Sequence, residues 1–158
     1  MLFLQQPGPD LVVRNDSAVT LKNGDQLHSQ PAADYGGVDQ LADAGLATDK
    51  VKLHPQPDGW TFLVVDDFDI PVEYGPHRVQ LLIKLPPLFP DAAPDMFWVR
   101  PAVHVANGTL PRGASHEVLL QQEWQRFSWH LASGAWKPGV STLRDYLRCV
   151  RGRFERRD

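Results

Sequence analysis

The single cysteine, Cys149, is the residue of this 158-residue chain whose chemistry is easiest to name. A thiolate is a strong nucleophile, and neighbouring arginines such as Arg148 could favour it by lowering the pKa of the thiol. The alternative is structural, because Cys149 lies beside the apolar stripe of the last predicted helix, where a small thiol packs as a hydrophobe. One cysteine cannot form an intramolecular disulfide or a zinc site built of cysteines.

His130 is the second candidate for chemistry. It ends an aromatic run that includes Trp124, Phe127 and Trp129. An imidazole at this place could act as a general base or acid. The alternative is a hydrogen-bonded histidine that orients the loop before Trp136. Both interpretations stay open on the residues alone.

A metal site is the third possibility, built from His104, His116, Glu117 and His130. These residues are far apart in sequence and include no closely spaced pair of the His-x-x-x-His kind, which metal sites commonly use. The chain also contains no Gly-rich phosphate loop. We therefore expect no metal and no cofactor.

The charge pattern gives no sign of a nucleic-acid or membrane partner. The net charge is −3 and the pI is about 6.0. Arginines recur in residues 144–157 and could bind an acidic partner or nucleic acid, but Asp145, Glu155 and Asp158 dilute them, which favours a solvated helix face. No apolar run reaches the roughly 18 residues that span a bilayer. The N-terminus lacks a basic start and a long apolar run, so we expect a cytoplasmic protein.

The hydrophobic pattern predicts an α+β fold. Residues 38–46 are predicted to form a short helix, and residues 115–129 a second one. Strands are predicted at residues 50–53, 60–65, 78–85 and 96–99. A long amphipathic helix is predicted after Pro138 from apolar residues at alternating spacings of three and four: Val140, Leu143, Leu147, Val150 and Phe154. The expected architecture is a four-stranded antiparallel meander with a helix before it and a long helix after it.

The first 37 residues differ from the rest and are predicted to form an extended arm or hairpin. Val19-Thr20-Leu21 is predicted to be a short strand, Asn23-Gly24 a turn, and Asp25-Gln26-Leu27 a returning strand. The predicted domain boundary therefore separates residues 1–37 from residues 38–158. The arm could dock on its own domain or on a second copy, which would give a homo-oligomer.

Several motifs occur in the order found in ubiquitin-conjugating enzymes. Ile83-Lys-Leu-Pro-Pro-Leu-Phe-Pro90 resembles the strand that enters the proline-rich crossing of that family, and Trp136-Lys137-Pro138 resembles its Trp-Ser-Pro. The chain is most similar to a bacterial branch, the prokaryotic ubiquitin-conjugating-like family E, over about residues 38–155. Three segments carry this likeness: Pro94-Asp-Met-Phe-Trp98, Trp124-Gln-Arg-Phe-Ser-Trp-His130 and Trp136-Lys-Pro-Gly139.

The resemblance implies a ubiquitin-conjugating fold and a role in ubiquitin-like modification. It implies three partners: a ubiquitin-like protein, its activating enzyme and a JAB-type isopeptidase. The arm from Val19 to Gly37 is similar to the closing segment of bacterial ubiquitin-like repeats.

The chain departs from the conjugating-enzyme pattern at the place of the chemistry. Those enzymes carry their cargo as a cysteine thioester and support the oxyanion with an asparagine amide. Here Arg100-Pro101-Ala102 replaces His-Pro-Asn, and Gly108 is followed by Thr109-Leu110-Pro111. Neither the usual cysteine nor the usual asparagine is present.

Three classes of function remain open. The first is a binding or regulatory protein that keeps the fold without the nucleophile, with Trp124, Trp129 and Trp136 as candidate partner-binding residues; as aromatics these three could equally be core. The second is a modifier-transfer enzyme that uses a hydroxyl or Cys149, assisted by His130. The third is an unrelated small α+β enzyme, for which no nucleophile elbow or paired-carboxylate motif is present.

Overall fold

The computed structural model of the protein describes residues 11–13, 19–21 and 37–156. The first helix lies close to its predicted position. So do the two strands that flank the proline-rich segment at residues 86–94. The bounds of the elements are as follows: β1 Leu11–Val13, β2 Val19–Leu21, α1 Gly37–Asp43, a 3-10 turn Thr48–Lys50, β3 Val51–Pro55, β4 Thr61–Asp69, β5 Arg78–Leu85, β6 Phe97–Arg100, β7 Ala114–Leu119, β8 Gln122–Phe127 and α2 Leu143–Glu155.

The strand predicted at Val19-Thr20-Leu21 is present as β2. It pairs antiparallel with β1, so that Leu11 lies opposite Leu21. The returning strand predicted at residues 25–27 and the Asn23-Gly24 turn lie outside the described residues. The division of the chain at residue 37 stays a prediction.

The main sheet has six strands among the described residues, in the order β3-β4-β5-β6-β8-β7. Every neighbouring pair is antiparallel. The prediction of a four-stranded meander is therefore wrong in the number of strands. The four predicted strands are β3 to β6, and β7 and β8 extend the sheet beyond β6.

The helix predicted at residues 115–129 is wrong, because this segment forms the β7–β8 hairpin. Its two-residue turn is Leu120–Gln121, and both residues have positive φ, 50° and 60°. A turn of this type usually contains Asn or Gly, and neither occurs here, so no turn is predicted from these residues. Pairing of β8 with β6 satisfies the backbone polar groups and overrides the helical preference of the Glu-, Leu- and Gln-rich segment.

Helix α2 packs its apolar stripe on one face of the sheet. Leu143, Leu147, Val150 and Phe154 are fully buried. Phe154 packs against the stacked pair Phe97 and Phe127, with ring centroids 5.6 and 5.3 Å away. Burying each such side chain contributes about 1.5 to 3 kcal/mol. This layer fixes the position of α2, and with it that of Cys149.

The prediction that the apolar stripe of the last helix begins at Val140 is wrong. Val140 is 70% exposed and lies in the turn before α2. The helix begins after Thr142, whose backbone N–H donates to the Asp145 carboxylate at 2.8 Å. This side chain satisfies a backbone donor that the first helical turn leaves unpaired.

The opposite face of the sheet carries a second, smaller apolar cluster. It consists of Val64, Leu82, Trp98 and Trp124. The Lys84 ammonium lies 4.5 Å from the centroid of the Trp98 ring, and the Trp98 indole donates to Glu117 at 2.8 Å. The sheet is thus apolar on both faces, although only one is covered by α2. No helix among the described residues is both long and apolar enough to cross a bilayer.

Candidate functional site

The loop that follows β6, residues 101–113, is fastened to the sheet by a buried side chain. Gln125 is only 1% exposed. Its amide oxygen accepts the Val103 N–H at 2.8 Å, and its amide nitrogen donates to the Val103 carbonyl at 3.0 Å. Gly75 and His104 exchange two backbone hydrogen bonds of 3.1 Å on the other side of the loop. The beginning of the loop is therefore held from two directions.

The tip of this loop is a closed turn. Gly108 has a φ of 80° and donates to the Val105 carbonyl at 2.8 Å. The Thr109 hydroxyl donates to the Asn107 amide oxygen at 2.6 Å, and the Thr109 N–H donates to the same atom at 3.0 Å. An amide oxygen does not accept a proton as a general base would, so this arrangement does not activate the hydroxyl.

Arg100 stands at the start of the loop and faces a cleft of about 810 Å³. Its Nη1 lies 3.5 Å from the Gln80 amide oxygen, and the Gln80 amide donates to Asp66 at 2.7 Å. The cleft is also lined by His116 and Glu123, whose side chains pair at 3.2 Å. The cleft beside the Arg100-Pro101-Ala102 motif is therefore lined by both positively and negatively charged side chains.

Cys149 lies half-buried on α2. Burial raises the pKa of its thiol, and the Trp129 side chain opposes part of that rise. Its neighbour Tyr146 is buried and donates its hydroxyl to the Met96 carbonyl at 2.5 Å. Burial, and secondarily the charges of Cys149 and Asp95, raises the pKa of Tyr146. Cys149 is therefore a protonated thiol at neutral pH, which is the poorly nucleophilic form.

His130 forms a hydrogen bond with Asp95. The Nδ1 of His130 lies 2.6 Å from Oδ1 of Asp95, and the two side chains are 60% and 55% exposed. A carboxylate at Nδ1 favours the tautomer that carries its proton there and leaves Nε2 as an acceptor. The pair could thus bind or deliver a proton at a solvent-accessible place.

The family comparison supplies the identity of the fold around these residues. The family model for prokaryotic E2 family E matches residues 38–157. The chain belongs to prokaryotic E2 family E. The match begins one residue after the start of α1 and covers every strand of the six-stranded sheet. No curated protein and no solved structure showed a significant match.

In this family E protein, the histidines considered for a metal site lie apart. His116 pairs with Glu123, while His130 pairs with Asp95. Within residues 37–156 and the two short N-terminal strands, no group of three His, Cys, Asp or Glu side chains is placed to hold a metal ion.

No hydrogen bond joins the side chains of His130 and Cys149 among the described residues. Trp129, the residue before His130, interacts with Cys149. Asp95, the partner of His130, precedes Met96, which bonds to α2. The His130 imidazole and the Cys149 thiol are thus not joined by a hydrogen bond. His130 is therefore not placed as a general base for Cys149 by any hydrogen bond of the described residues.

The three tryptophans predicted as partner-binding residues have different surroundings in the family E fold. Trp124 is 1% exposed and donates to the Leu119 carbonyl at 3.0 Å, which fastens the β7–β8 hairpin. Trp136 is half-buried and donates to the Pro90 carbonyl at 2.9 Å, beside the ring of Phe89. Trp129 is half-buried between arginines of α2. Among the three, Trp124 presents almost no surface to a partner.

Two residues of this site, Asp95 and Gln125, were not predicted from the sequence. Asp95 is 35 residues before His130, and Gln125 is 22 residues after Val103. Neither pair has a spacing that marks a local motif. Asp95 lies within the Pro94-to-Trp98 segment that carries the family resemblance, which is the one signal that could have drawn attention to it.

Proposed function

We propose that this family E protein is a conjugating-enzyme-like binding component of a bacterial ubiquitin-like modification system. It holds the ubiquitin-like protein or its activating enzyme and does not carry the modifier as a thioester. The observation that carries this proposal is the loop tip. The resemblance places a cysteine within Thr109-Leu110-Pro111, where none occurs, and the Thr109 hydroxyl is bonded to the Asn107 amide. The half-buried Cys149 thiol, with its raised pKa, gives no substitute.

A non-reducing gel tests this proposal directly. The protein is incubated with the activating enzyme, the ubiquitin-like protein and ATP, and binding of each partner is measured separately by calorimetry. We expect saturable binding of at least one partner and no covalent adduct. A thiol-sensitive adduct that disappears in Cys149→Ala would overturn the proposal, as would the absence of binding to both partners.

A second candidate function is favoured by the His130–Asp95 pair. In this alternative the protein transfers the modifier, and His130 takes the proton of an attacking hydroxyl, such as that of Thr109. With a hydroxyl, the new bond joins its oxygen to the carbonyl carbon of the modifier. The thioester bond to the activating enzyme breaks, and that enzyme's thiolate leaves and takes up the proton.

The same gel separates this alternative from the first. A thiol-resistant, hydroxylamine-sensitive adduct that is lost in Thr109→Ala would identify an ester on the loop. His130→Ala should then slow its formation, whereas Ser133→Ala, in the same exposed segment, should not. Absence of an ester in the unaltered protein would reject the hydroxyl route.

A further inference from the structure

Strand β7, Ala114–Leu119, forms one edge of the six-stranded sheet. It pairs with β8 on one side, and no other described strand pairs with it on the opposite side. The side chains of His116 and Val118 are exposed there, Val118 to 70%. A strand edge of this kind can pair with another strand through its backbone.

The two-residue turn of the hairpin fixes which backbone groups of β7 are free. The residues that flank such a turn form a hydrogen-bonded pair, and hydrogen-bonded and non-hydrogen-bonded pairs alternate from there. Leu119 lies opposite Gln122 at the turn. Alternate residues from Leu119 therefore bond to β8, and at the far end the Gly113 carbonyl still does so, accepting the Ser128 N–H at 3.1 Å. The residues between them direct their N–H and C=O groups away from β8: Ala114, His116 and Val118.

This edge lacks the features by which sheet edges usually avoid pairing. Lysine, proline and bulges are the common ones. Strand β7 contains no lysine or proline, and its register with β8 is continuous. The opposite edge strand, β3, carries Lys52, ends in Pro55 and has β1 beside it. Of the two edges of the sheet, β7 is thus the one suited to accept a strand.

The side chains of β7 select one way of pairing with a second copy of the chain. An antiparallel pair of identical strands has a two-fold axis at one residue. With the axis at Glu117, the two carboxylates would lie directly opposite each other, which is destabilising. With the axis at His116, Glu117 lies opposite Ser115 of the second copy. The Arg126 side chain donates to Ser115 at 3.1 Å, so each Glu117 then faces a serine that has a guanidinium beside it.

The backbone groups that face outward suit the same register. The two His116 residues exchange both of their hydrogen bonds. Each Val118 N–H donates to the Ala114 carbonyl of the other copy. The Ala114 N–H is not needed, since it donates to the Pro111 carbonyl at 3.1 Å.

We propose that the protein forms a two-fold homodimer by antiparallel pairing of β7 with β7 of a second copy, with the axis at His116. The sheet then continues from one copy into the other. His116 lines the cleft beside the Arg100-Pro101-Ala102 motif, so His116 of the second copy comes to the rim of that cleft. The dimer does not depend on the function proposed above.

Sedimentation equilibrium of the full chain tests the proposal. We expect a monomer–dimer equilibrium with a dissociation constant on the order of 100 µM or tighter, because an interface of one strand from each copy is small. A chain that stays monomeric up to about 1 mM overturns the proposal.

Val118→Pro removes an outward N–H that β8 does not use. Proline is tolerated in an edge strand where its missing N–H faces solvent. The substitution should raise the dimer dissociation constant about tenfold or more. The matched control, Val118→Thr, keeps the N–H and the branched shape and should change that constant by less than about twofold. A dimer that persists in Val118→Pro, or that is lost equally in Val118→Thr, contradicts pairing through the β7 backbone. Circular dichroism of each variant establishes that it is folded.

Cross-linking tests the register without proline. In a Cys149→Ser background, His116→Cys places two thiols directly opposite each other, with the Cα atoms about 5.5 Å apart, within reach of a short bismaleimide. The control Val72→Cys replaces an exposed valine between β4 and β5. We expect a cross-linked dimer from His116→Cys and none from Val72→Cys. Equal yields from the two variants, or no dimer from His116→Cys, overturn the proposal.

Discussion

At the scale of single residues, the site is defined by which proton acceptors each group can reach. The Thr109 hydroxyl donates to the Asn107 amide, and Cys149 is half-buried with a raised pKa. His130 has Asp95 at hydrogen-bond distance. Among the described residues, no hydrogen bond joins His130 to Thr109 or to Cys149.

Asp95→Asn should change the tautomer of His130. The carboxylate accepts the proton on Nδ1, and an asparagine in its place can turn its NH2 toward the ring and favour the proton on Nε2. Long-range ¹H–¹⁵N spectra of the imidazole should then show a larger Nε2–H population at alkaline pH. The control Asp91→Asn alters another exposed acid near the same crossing and should have no effect. An unchanged tautomer ratio in Asp95→Asn would show that the pair does not form in solution.

Cys149 should react with a thiol reagent more slowly in the folded protein than in guanidinium chloride. Burial raises the pKa of the thiol, so less thiolate is present at neutral pH. The unfolded chain loses the thiol proton first as the pH rises. The stabilisation associated with this group is therefore complete below the ordinary pKa and is lost as the pH passes through the folded pKa.

Labelling with Ellman's reagent over a range of pH checks this expectation. The folded rate should rise at a higher pH than the unfolded rate, and Cys149→Ser should abolish both signals. A folded thiol that reacts faster than the unfolded one at pH 7 would contradict the inert assignment and revive Cys149 as a nucleophile.

At the scale of elements, the β7–β8 hairpin extends the sheet beyond the predicted meander. It places Gln125 under the 101–113 loop and Trp129 beside α2. The hairpin closes through Leu120 and Gln121, although both adopt the left-handed region that L-residues enter at a cost of about 1 kcal/mol. Pairing and the burial of Trp124 offset that cost.

Gln121→Gly should stabilise the protein by about 0.5 to 1 kcal/mol, because glycine adopts positive φ without steric cost. Gln121 is exposed, so no packing is lost. Urea unfolding measures the free energy. The matched control is Gln122→Gly, one residue later inside β8, which should destabilise the protein by a similar amount. A loss of stability in Gln121→Gly would argue against this turn.

At the scale of the whole molecule, the 101–113 loop is held both by the six-stranded sheet and by α2. Gln125 connects β8 to the 101–113 loop, and Arg153 connects α2 to the end of the same loop through the Arg112 carbonyl. The loop is therefore fixed to the sheet and to the helix. The shape of the loop does not require a nucleophile at its tip, because the residues that hold it, Gln125 and Arg153, lie elsewhere.

Gln125→Leu should lower the free energy of unfolding by about 2 to 4 kcal/mol, since the buried N–H and C=O of Val103 both lose their partner. Gln122→Leu, on the exposed part of the same strand, should change it by less than about 0.5 kcal/mol. Hydrogen exchange of the Val103 amide provides a local readout. It should accelerate far more than exchange of a core amide such as Leu82, and equal acceleration of the two would mean that the loop is not fastened by Gln125.

The sequence by itself determined the elements whose hydrophobic periodicity fits only one kind of secondary structure. Alternation in residues 78–85 predicted β5 with its bounds, and three-four spacing predicted α2 apart from Val140. Tertiary structure decided the rest. The β7–β8 hairpin depends on pairing with β6, because its turn contains no glycine or asparagine. The His130–Asp95 bond, the Gln125–Val103 bonds and the Arg153–Arg112 bond each join residues far apart in the chain, and no local pattern encodes such contacts.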